Sequence, residues 1–214
     1  MSAAGDPHAG QPVLHAGAAV EGARAAVVML HGRGATAEDI LSLRRPLAAS
    51  GVAFLAPQAA SRTWYPYSFL AELERNEPHL SSALRRVESL VADLERQSLP
   101  AERTVLLGFS QGACLACEFA ARNARRWGGV VAFTGGLIGP PGTPRDYPGD
   151  LAGTPVFLGA GDPDPHVPRQ RVEETAQVLR RMGAEVELRI FPGLGHSIND
   201  EELERARRMI AALR

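Results

Sequence analysis

Gly108-Phe109-Ser110-Gln111-Gly112 joins two segments of opposite character. Residues 104–107 before it (Thr-Val-Leu-Leu) form the kind of apolar run shown by a strand buried on both faces. Residues 113–122 after it (Ala-Cys-Leu-Ala-Cys-Glu-Phe-Ala-Ala-Arg) are rich in helix formers. A strand that turns directly into a helix forces the residue at the turn into a strained backbone conformation and exposes its side chain. Glycines on either side remove the clashes that side chains would create there. The reading therefore puts the Ser110 hydroxyl at a helix N-terminus, where backbone N–H groups stabilise negative charge. With 22 glycines in the chain the pentapeptide alone decides little, and its context must carry the argument.

The context is an alternation of apolar runs with helical periods. Runs at 25–30, 52–56, 130–133, 155–158 and 186–191 join 104–107 as candidate strands, and 12–20 adds a candidate edge strand. Thr36 caps a predicted helix over 36–48, with Ile40, Leu43 and Leu47 on one face. Helical spacing recurs at Leu80, Leu84, Val87, Val91 and Leu94, at Val172, Thr175, Leu179 and Met182, and at Leu203, Ala206, Ile210 and Leu213. This alternation predicts an α/β fold with a mostly parallel sheet. Two stretches break it: 58–78, with Trp64, Tyr65, Tyr67 and Phe69, and 135–154, rich in Gly and Pro. Irregular stretches of this length in a compact domain are often functional.

The chain has 214 residues, which fits one domain over 11–214 behind a mobile tail at 1–10. All 23 basic residues are Arg, so Schiff-base chemistry and a Walker-type phosphate loop, which need a Lys amine, are excluded. A net charge of −1 argues against nucleic-acid binding. No apolar run reaches the roughly 20 residues of a membrane helix, and the N-terminus lacks the cationic and apolar regions of a secretory signal. A cytoplasmic protein is the simplest expectation. Cys114 and Cys117 cannot make a disulfide framework, and they sit past the first residues of the predicted helix, where a redox pair would gain little thiolate stabilisation. They are read as small packing residues.

A serine hydroxyl needs a base. Of six histidines, His8 and His15 lie near the tail, His79 starts a helix, His31 is read as holding the first Gly-rich turn, and His166 lies in a Pro-rich loop. His196, in Gly193-Leu194-Gly195-His196-Ser197, follows the last predicted strand, and ligands and catalytic groups collect at that edge of a parallel sheet. It is the preferred base. The orienting carboxylate should come from Gly161-Asp162-Pro163-Asp164-Pro165-His166-Val167-Pro168, after the fifth apolar run, and the spacing leaves Asp162 and Asp164 both open. Two N–H donors are needed for a tetrahedral oxyanion. The backbone N–H of Gln111 is one, and that of Arg33, in His31-Gly32-Arg33-Gly34, is the other candidate.

Taken together, Leu30-His31-Gly32-Arg33-Gly34, Ala56-Pro57, Trp64-Tyr65, Gly108-Phe109-Ser110-Gln111-Gly112, the Gly161 to Pro168 loop and Gly195-His196-Ser197 resemble the phospholipase/carboxylesterase family of α/β-hydrolases, which includes acyl-protein thioesterases and small carboxylesterases. The resemblance runs from about residue 25 to the C-terminus. It implies a minimal α/β-hydrolase fold with helices on both faces of the sheet and no large lid. It implies Asp164, before Pro-x-Val-Pro, as the acid of a Ser110–His196–Asp164 triad, and small-molecule ester, thioester or lysophospholipid substrates with no metal or organic cofactor.

Rival readings are weaker. Gly32 to Ala37 imitates a dinucleotide-binding turn, but Pro57-Gln58 stands where a ribose-binding acid belongs. Asp162, Asp164 and His166, separated by two prolines, make a poor metal site. A catalytically silent binding protein is disfavoured because every catalytic position is filled. Trp64, Tyr65, Phe69, Leu137 and Ile138 are read as walls of the substrate pocket.

Overall fold

The computed structural model describes residues 6–47 and 49–213. Seven strands form one sheet: β1 Val13–Gly17, β2 Ala25–Leu30, β3 Val52–Pro57, β4 Thr104–Phe109, β5 Gly129–Phe133, β6 Pro155–Asp162 and β7 Glu185–Pro192, in the spatial order β1-β3-β2-β4-β5-β6-β7. Only the β1–β3 pairing is antiparallel; the other five are parallel. The α/β expectation is met, and the predicted 12–20 edge strand is the antiparallel β1.

Among the described residues six α-helices flank the sheet: α1 Ala37–Ser42, α2 Arg44–Leu47, α3 His79–Arg96, α4 Gln111–Arg122, α5 Arg169–Arg181 and α6 Asp200–Ala212. Strand alternation divides the core into two layers. Ala26, Val28, Leu106, Val130 and Ala132 face the side packed by α3, α4 and α5, whereas Ala25, Val27, Val105, Leu107, Val131 and Phe133 face the side of α1, α2 and α6. Buried parallel strands need apolar residues on both faces, which is why they read as unbroken runs.

The predicted 36–48 helix is two helices that break at Leu43; residue 48 lies outside the described ones. Pro46 has no N–H to give the Ser42 carbonyl, and its ring crowds that carbonyl, so the helix cannot run through. The capping box at its start is present: Thr36 Oγ1 accepts from Asp39 N at 3.2 Å, and Thr36 N donates to Asp39 Oδ2 at 2.8 Å. The run read as 155–158 continues to Asp162, because pairing with β7 holds it through Asp162 opposite Pro192; the apolar run stops short because the strand is glycine at 161, where a side chain would collide with the Gly195 backbone.

The expected tail needs correction over 6–10, while residues 1–5 lie outside the described ones. His8 is fully buried: its backbone N–H donates to Ser82 Oγ at 2.9 Å, its Nε2 donates to the Trp64 carbonyl at 2.9 Å, and its Nδ1 accepts from Ala60 N at 3.1 Å. Burial here is secured by polar bonds to residues distant in sequence, which leave no apolar pattern in the chain around His8. Among the described residues no helix is long and apolar enough to cross a membrane.

Candidate active site

The turn between β4 and α4 is shaped by close approach. A side chain at Gly108 would meet the Gly112 backbone, and one at Gly112 would meet the Leu30 and His31 carbonyls at the end of β2. Both positions must be glycine for α4 to lie this close to the strands. Ser110, between them, has φ 54° and ψ −118°, a region L-residues rarely occupy. Its N–H is held by the Phe133 carbonyl at 2.9 Å, so the strained turn is braced by the neighbouring strand.

His196 stands in the loop after β7. The loop bends back across the end of β6, where Gly161 lets the Gly195 backbone pass, and Gly193 N donates to the Asp162 carbonyl at 2.8 Å. This brings the imidazole to Ser110: His196 Nε2 lies 2.9 Å from Ser110 Oγ. On the other side of the ring Nδ1 lies 2.8 Å from Asp164 Oδ2. The carboxylate fixes the proton on Nδ1 and leaves the Nε2 lone pair facing the serine hydroxyl.

Asp164 is shielded, with its side chain 0% exposed against 19% for His196. Its second oxygen, Oδ1, accepts from His166 N at 2.7 Å and Val167 N at 2.9 Å. Burial pushes its pKa up, but the two backbone N–H groups and His196 outweigh this and hold it below the ordinary carboxylate value. Asp162 turns elsewhere: its Oδ2 pairs with Arg169 at 3.3 Å. Asp162, Asp164 and His166 therefore do not converge as a ligand set.

The Arg33 and Gln111 amides sit on adjacent strands' ends, after β2 and at the first position of α4. Neither N–H has an acceptor among the described residues. Beneath them His31 is buried and neutral in character, with Nδ1 donating to the Gly32 carbonyl at 2.8 Å and Nε2 accepting from Ala59 N at 3.0 Å. Burial lowers its pKa, and its bonds hold the turn that presents Arg33.

These groups open on a cleft of about 550 Å³. Tyr65 and Phe69 lie on its wall, whereas Trp64, Leu137 and Ile138 do not and are corrected to core positions. Trp64 is fully buried, with Nε1 donating to the His31 carbonyl at 2.8 Å and its ring 5.0 Å from that of His31. Leu137 and Ile138 are buried, with their backbone N–H groups on Thr175 Oγ1 at 2.9 Å and Glu118 Oε2 at 3.0 Å. Both stretches lack periodicity, so a buried irregular segment and a cleft wall look alike in the sequence.

Several wall residues escaped the sequence. The Phe109 ring lies 5.2 Å from that of His196, and the His166 ring stands edge-on to it at 4.7 Å. Arg33 reaches across the rim, its guanidinium donating to the Pro66 carbonyl at 2.6 Å and the Tyr67 carbonyl at 2.5 Å. The Gln111 side chain is buried: Oε1 accepts from Trp64 N at 2.9 Å and Thr63 Oγ1 at 3.2 Å, and Nε2 donates to the Tyr65 carbonyl at 2.8 Å. The sequence singles out Arg33 and Gln111 for their backbone N–H groups alone, and for Phe109 and His166 the signal is nearness in sequence to Ser110 and Asp164. Cys114 and Cys117 are buried free thiols. Burial pushes the Cys114 pKa up to about 12 and Cys117 also upward.

Over residues 16–214 the chain matches the phospholipase/carboxylesterase family. A solved phospholipase/carboxylesterase from Dyadobacter fermentans is 48% identical, superposes with a TM-score of 0.90, and the match covers 94% of this chain and 96% of that one. Acyl-protein thioesterase 1 of Gibberella zeae is 27% identical over 205 residues, covering 84% of this chain and 86% of the relative. The match to acyl-protein thioesterase 1 of Debaryomyces hansenii is 30% identical over 126 residues and spans about half of that protein, 54% of its length.

Proposed function

Since the chain belongs to the phospholipase/carboxylesterase family of hydrolases, we propose that it cleaves carboxylic esters of small to medium acyl groups through Ser110, His196 and Asp164. The observation that carries this reading is the 2.9 Å contact between His196 Nε2 and Ser110 Oγ, with the other ring nitrogen held by Asp164. Ser110 Oγ attacks the acyl carbon while His196 Nε2 takes its proton, and Asp164 stabilises the imidazolium. The carbonyl oxygen, now negative, is received by the Arg33 and Gln111 N–H groups, helped by the N-terminal end of α4. Collapse of the tetrahedral intermediate breaks the ester bond, and His196 returns the proton to the departing alcohol oxygen. Water then adds to the acyl-enzyme, giving its proton to His196. The second intermediate expels Ser110 Oγ, which takes that proton back as the acid leaves.

The cleft has no helical cap over it among the described residues, which supports modest acyl groups rather than bulk triglyceride. The machinery serves thioesters equally, and the relatives called acyl-protein thioesterases favour that second reading. The test is covalent labelling with a fluorophosphonate followed by peptide mass analysis. The adduct is expected on Ser110, absent in Ser110→Ala and much slower in Asp164→Asn; labelling that persists in Ser110→Ala would end the proposal. Parallel rates on matched oxygen and sulfur esters decide between the two substrate readings.

A further inference from the structure

The charge around the cleft is one-sided. Among the described residues no Asp or Glu lines it; the ionisable groups on its wall besides the Tyr65 and Tyr67 phenols and the Cys114 thiol are Arg33, His166 and His196. The carboxylates behind the wall are engaged: Asp164 by His196, His166 N and Val167 N, and buried Glu118 by Arg122, Ile138 N and the Tyr147 hydroxyl. Other arginines nearby do not line the cleft: Arg169 pairs with Asp162 and Glu173, Arg145 and Arg171 share Glu174, and Arg75 stacks on the Tyr67 ring at 4.4 Å. Arg33 does line it. It is exposed, and its side-chain partners among the described residues are two uncharged carbonyls, Pro66 and Tyr67.

Those two bonds take two of the five N–H donors of a guanidinium and leave its charge uncompensated. They also hold the group at the rim, so little side-chain freedom remains to be lost when a ligand binds. The residue that offers its backbone N–H toward the reacting carbonyl thus carries, one side-chain length away, a fixed cation facing the same cleft. A planar guanidinium recognises carboxylate and phosphate oxygens through paired, charge-assisted hydrogen bonds.

We propose that the Arg33 guanidinium selects esters bearing an anionic group, a carboxylate or a phosphate, within a few atoms of the scissile carbonyl. The proposal rests on the ester-hydrolase reading of the site and adds its substrate class. Arg33 acts here as a specificity residue through its side chain, apart from the role of its backbone N–H.

The experiment compares kcat/KM within pairs in which one ester bears an anionic group that the other lacks. The acyl-side pair is 4-nitrophenyl hydrogen glutarate against methyl 4-nitrophenyl glutarate. The alcohol-side pair is the butyrate ester of glycerol 3-phosphate against glycerol monobutyrate. In at least one pair the anionic ester is expected to be preferred roughly tenfold or more, the scale of a hydrogen bond to a charged group. That preference should fall toward one in Arg33→Met, persist in part in Arg33→Lys, and shrink in about 0.5 M salt. The pair that responds tells a carboxylate on the acid from a phosphate on the alcohol. Because each ratio is internal to one protein, a general loss of activity from loosening residues 66–67 does not imitate the effect. Preference at or below one in both pairs, or a preference unchanged in Arg33→Met, would overturn the proposal and leave Arg33 as a strap on the loop. Failure to turn over all four esters would instead overturn the ester-hydrolase reading, and the substrate class with it.

Discussion

Trp64 and Gln111, 47 positions apart, are joined by a 2.9 Å hydrogen bond from the Trp64 backbone N–H to Gln111 Oε1. The residue that follows the candidate nucleophile therefore does two jobs. Its backbone N–H has no acceptor among the described residues, and its side chain holds the aromatic stretch on the cleft wall. Removing the side-chain amide with Gln111→Leu would strand the Trp64 N–H at a fully buried residue, while the Tyr65 carbonyl keeps the Thr63 hydroxyl at 2.9 Å. Each buried group left without a partner costs about 1–3 kcal/mol. The variant should unfold at lower urea with an unchanged slope and show a raised KM as residues 63–69 loosen. An unfolding midpoint equal to the wild type would mean that the tether carries no weight.

The backbone of Ser110 makes a second expectation. At φ 54° and ψ −118° a Cβ is strained, by about 1–3 kcal/mol. Both Ser110→Gly and Ser110→Ala remove the hydroxyl, and each should lower kcat/KM by about a thousandfold or more. In stability they should part company. Ser110→Gly is expected to be the more stable of the two by about 1 kcal/mol, the reverse of the order in ordinary helix or strand positions. Thermal unfolding of the pair measures this directly. If the Ala variant proves the more stable, the turn is not strained by its side chain.

The parts of the site that were legible in the sequence are those fixed by local backbone demands. Gly108 and Gly112 must be glycine for steric reasons, and the apolar runs before Ser110 and before His196 announce strands whose C-terminal ends lie at one edge of a parallel sheet. Asp162 and Asp164 could not be separated from spacing, since the choice depends on where Arg169 stands and on which oxygen faces the His196 ring. Trp64 was misplaced for a related reason. An aromatic in an aperiodic stretch reads the same whether it lines a cleft or fills the space beneath one, and its burial is decided by His8, His31 and Gln111, all distant in sequence. His8 itself was invisible because hydrogen bonds to Trp64 and Ala60, and not apolar packing, anchor it.

The two cysteines yield a prediction against the redox reading. Both are buried, and the loss of solvation pushes their thiols well above the ordinary cysteine range, to about 12 for Cys114. The thiolate is the reactive form. At pH 8 the native protein should resist an aromatic disulfide reagent over the time in which the urea-unfolded chain reports two thiols. Rapid reaction of one thiol in the native state would show that the floor of the cleft opens to solvent at Cys114.

Glu202 ties the loop of His196 to acidity. It closes a capping box at the start of α6: Asn199 N donates to Glu202 Oε2 at 2.9 Å, and Glu202 N donates to Asn199 Oδ1 at 2.9 Å. Its other oxygen, Oε1, is buried against Gly159 without a hydrogen-bond partner. Burial is the main cause that raises its pKa to about 7; the Asn199 N–H opposes the rise and the neighbouring Glu201 adds to it. An unfolded glutamate titrates near 4.5. Between about pH 4.5 and 7 the unfolded chain has lost this proton and the folded chain keeps it, so stability falls as pH rises across that window. The slope from this one group is at most about 1.4 kcal/mol per pH unit, and it vanishes above the folded value. Glu202→Gln cannot ionise and keeps an oxygen for the Asn199 N–H. The stability of Glu202→Gln minus that of the wild type should therefore grow from pH 5 to pH 7 and level off by pH 8, as read from urea midpoints of both proteins. A difference that stays constant across those pH values would place the Glu202 proton equilibrium where an exposed carboxylate has it, and the carboxyl beneath the His196 loop would then be solvated.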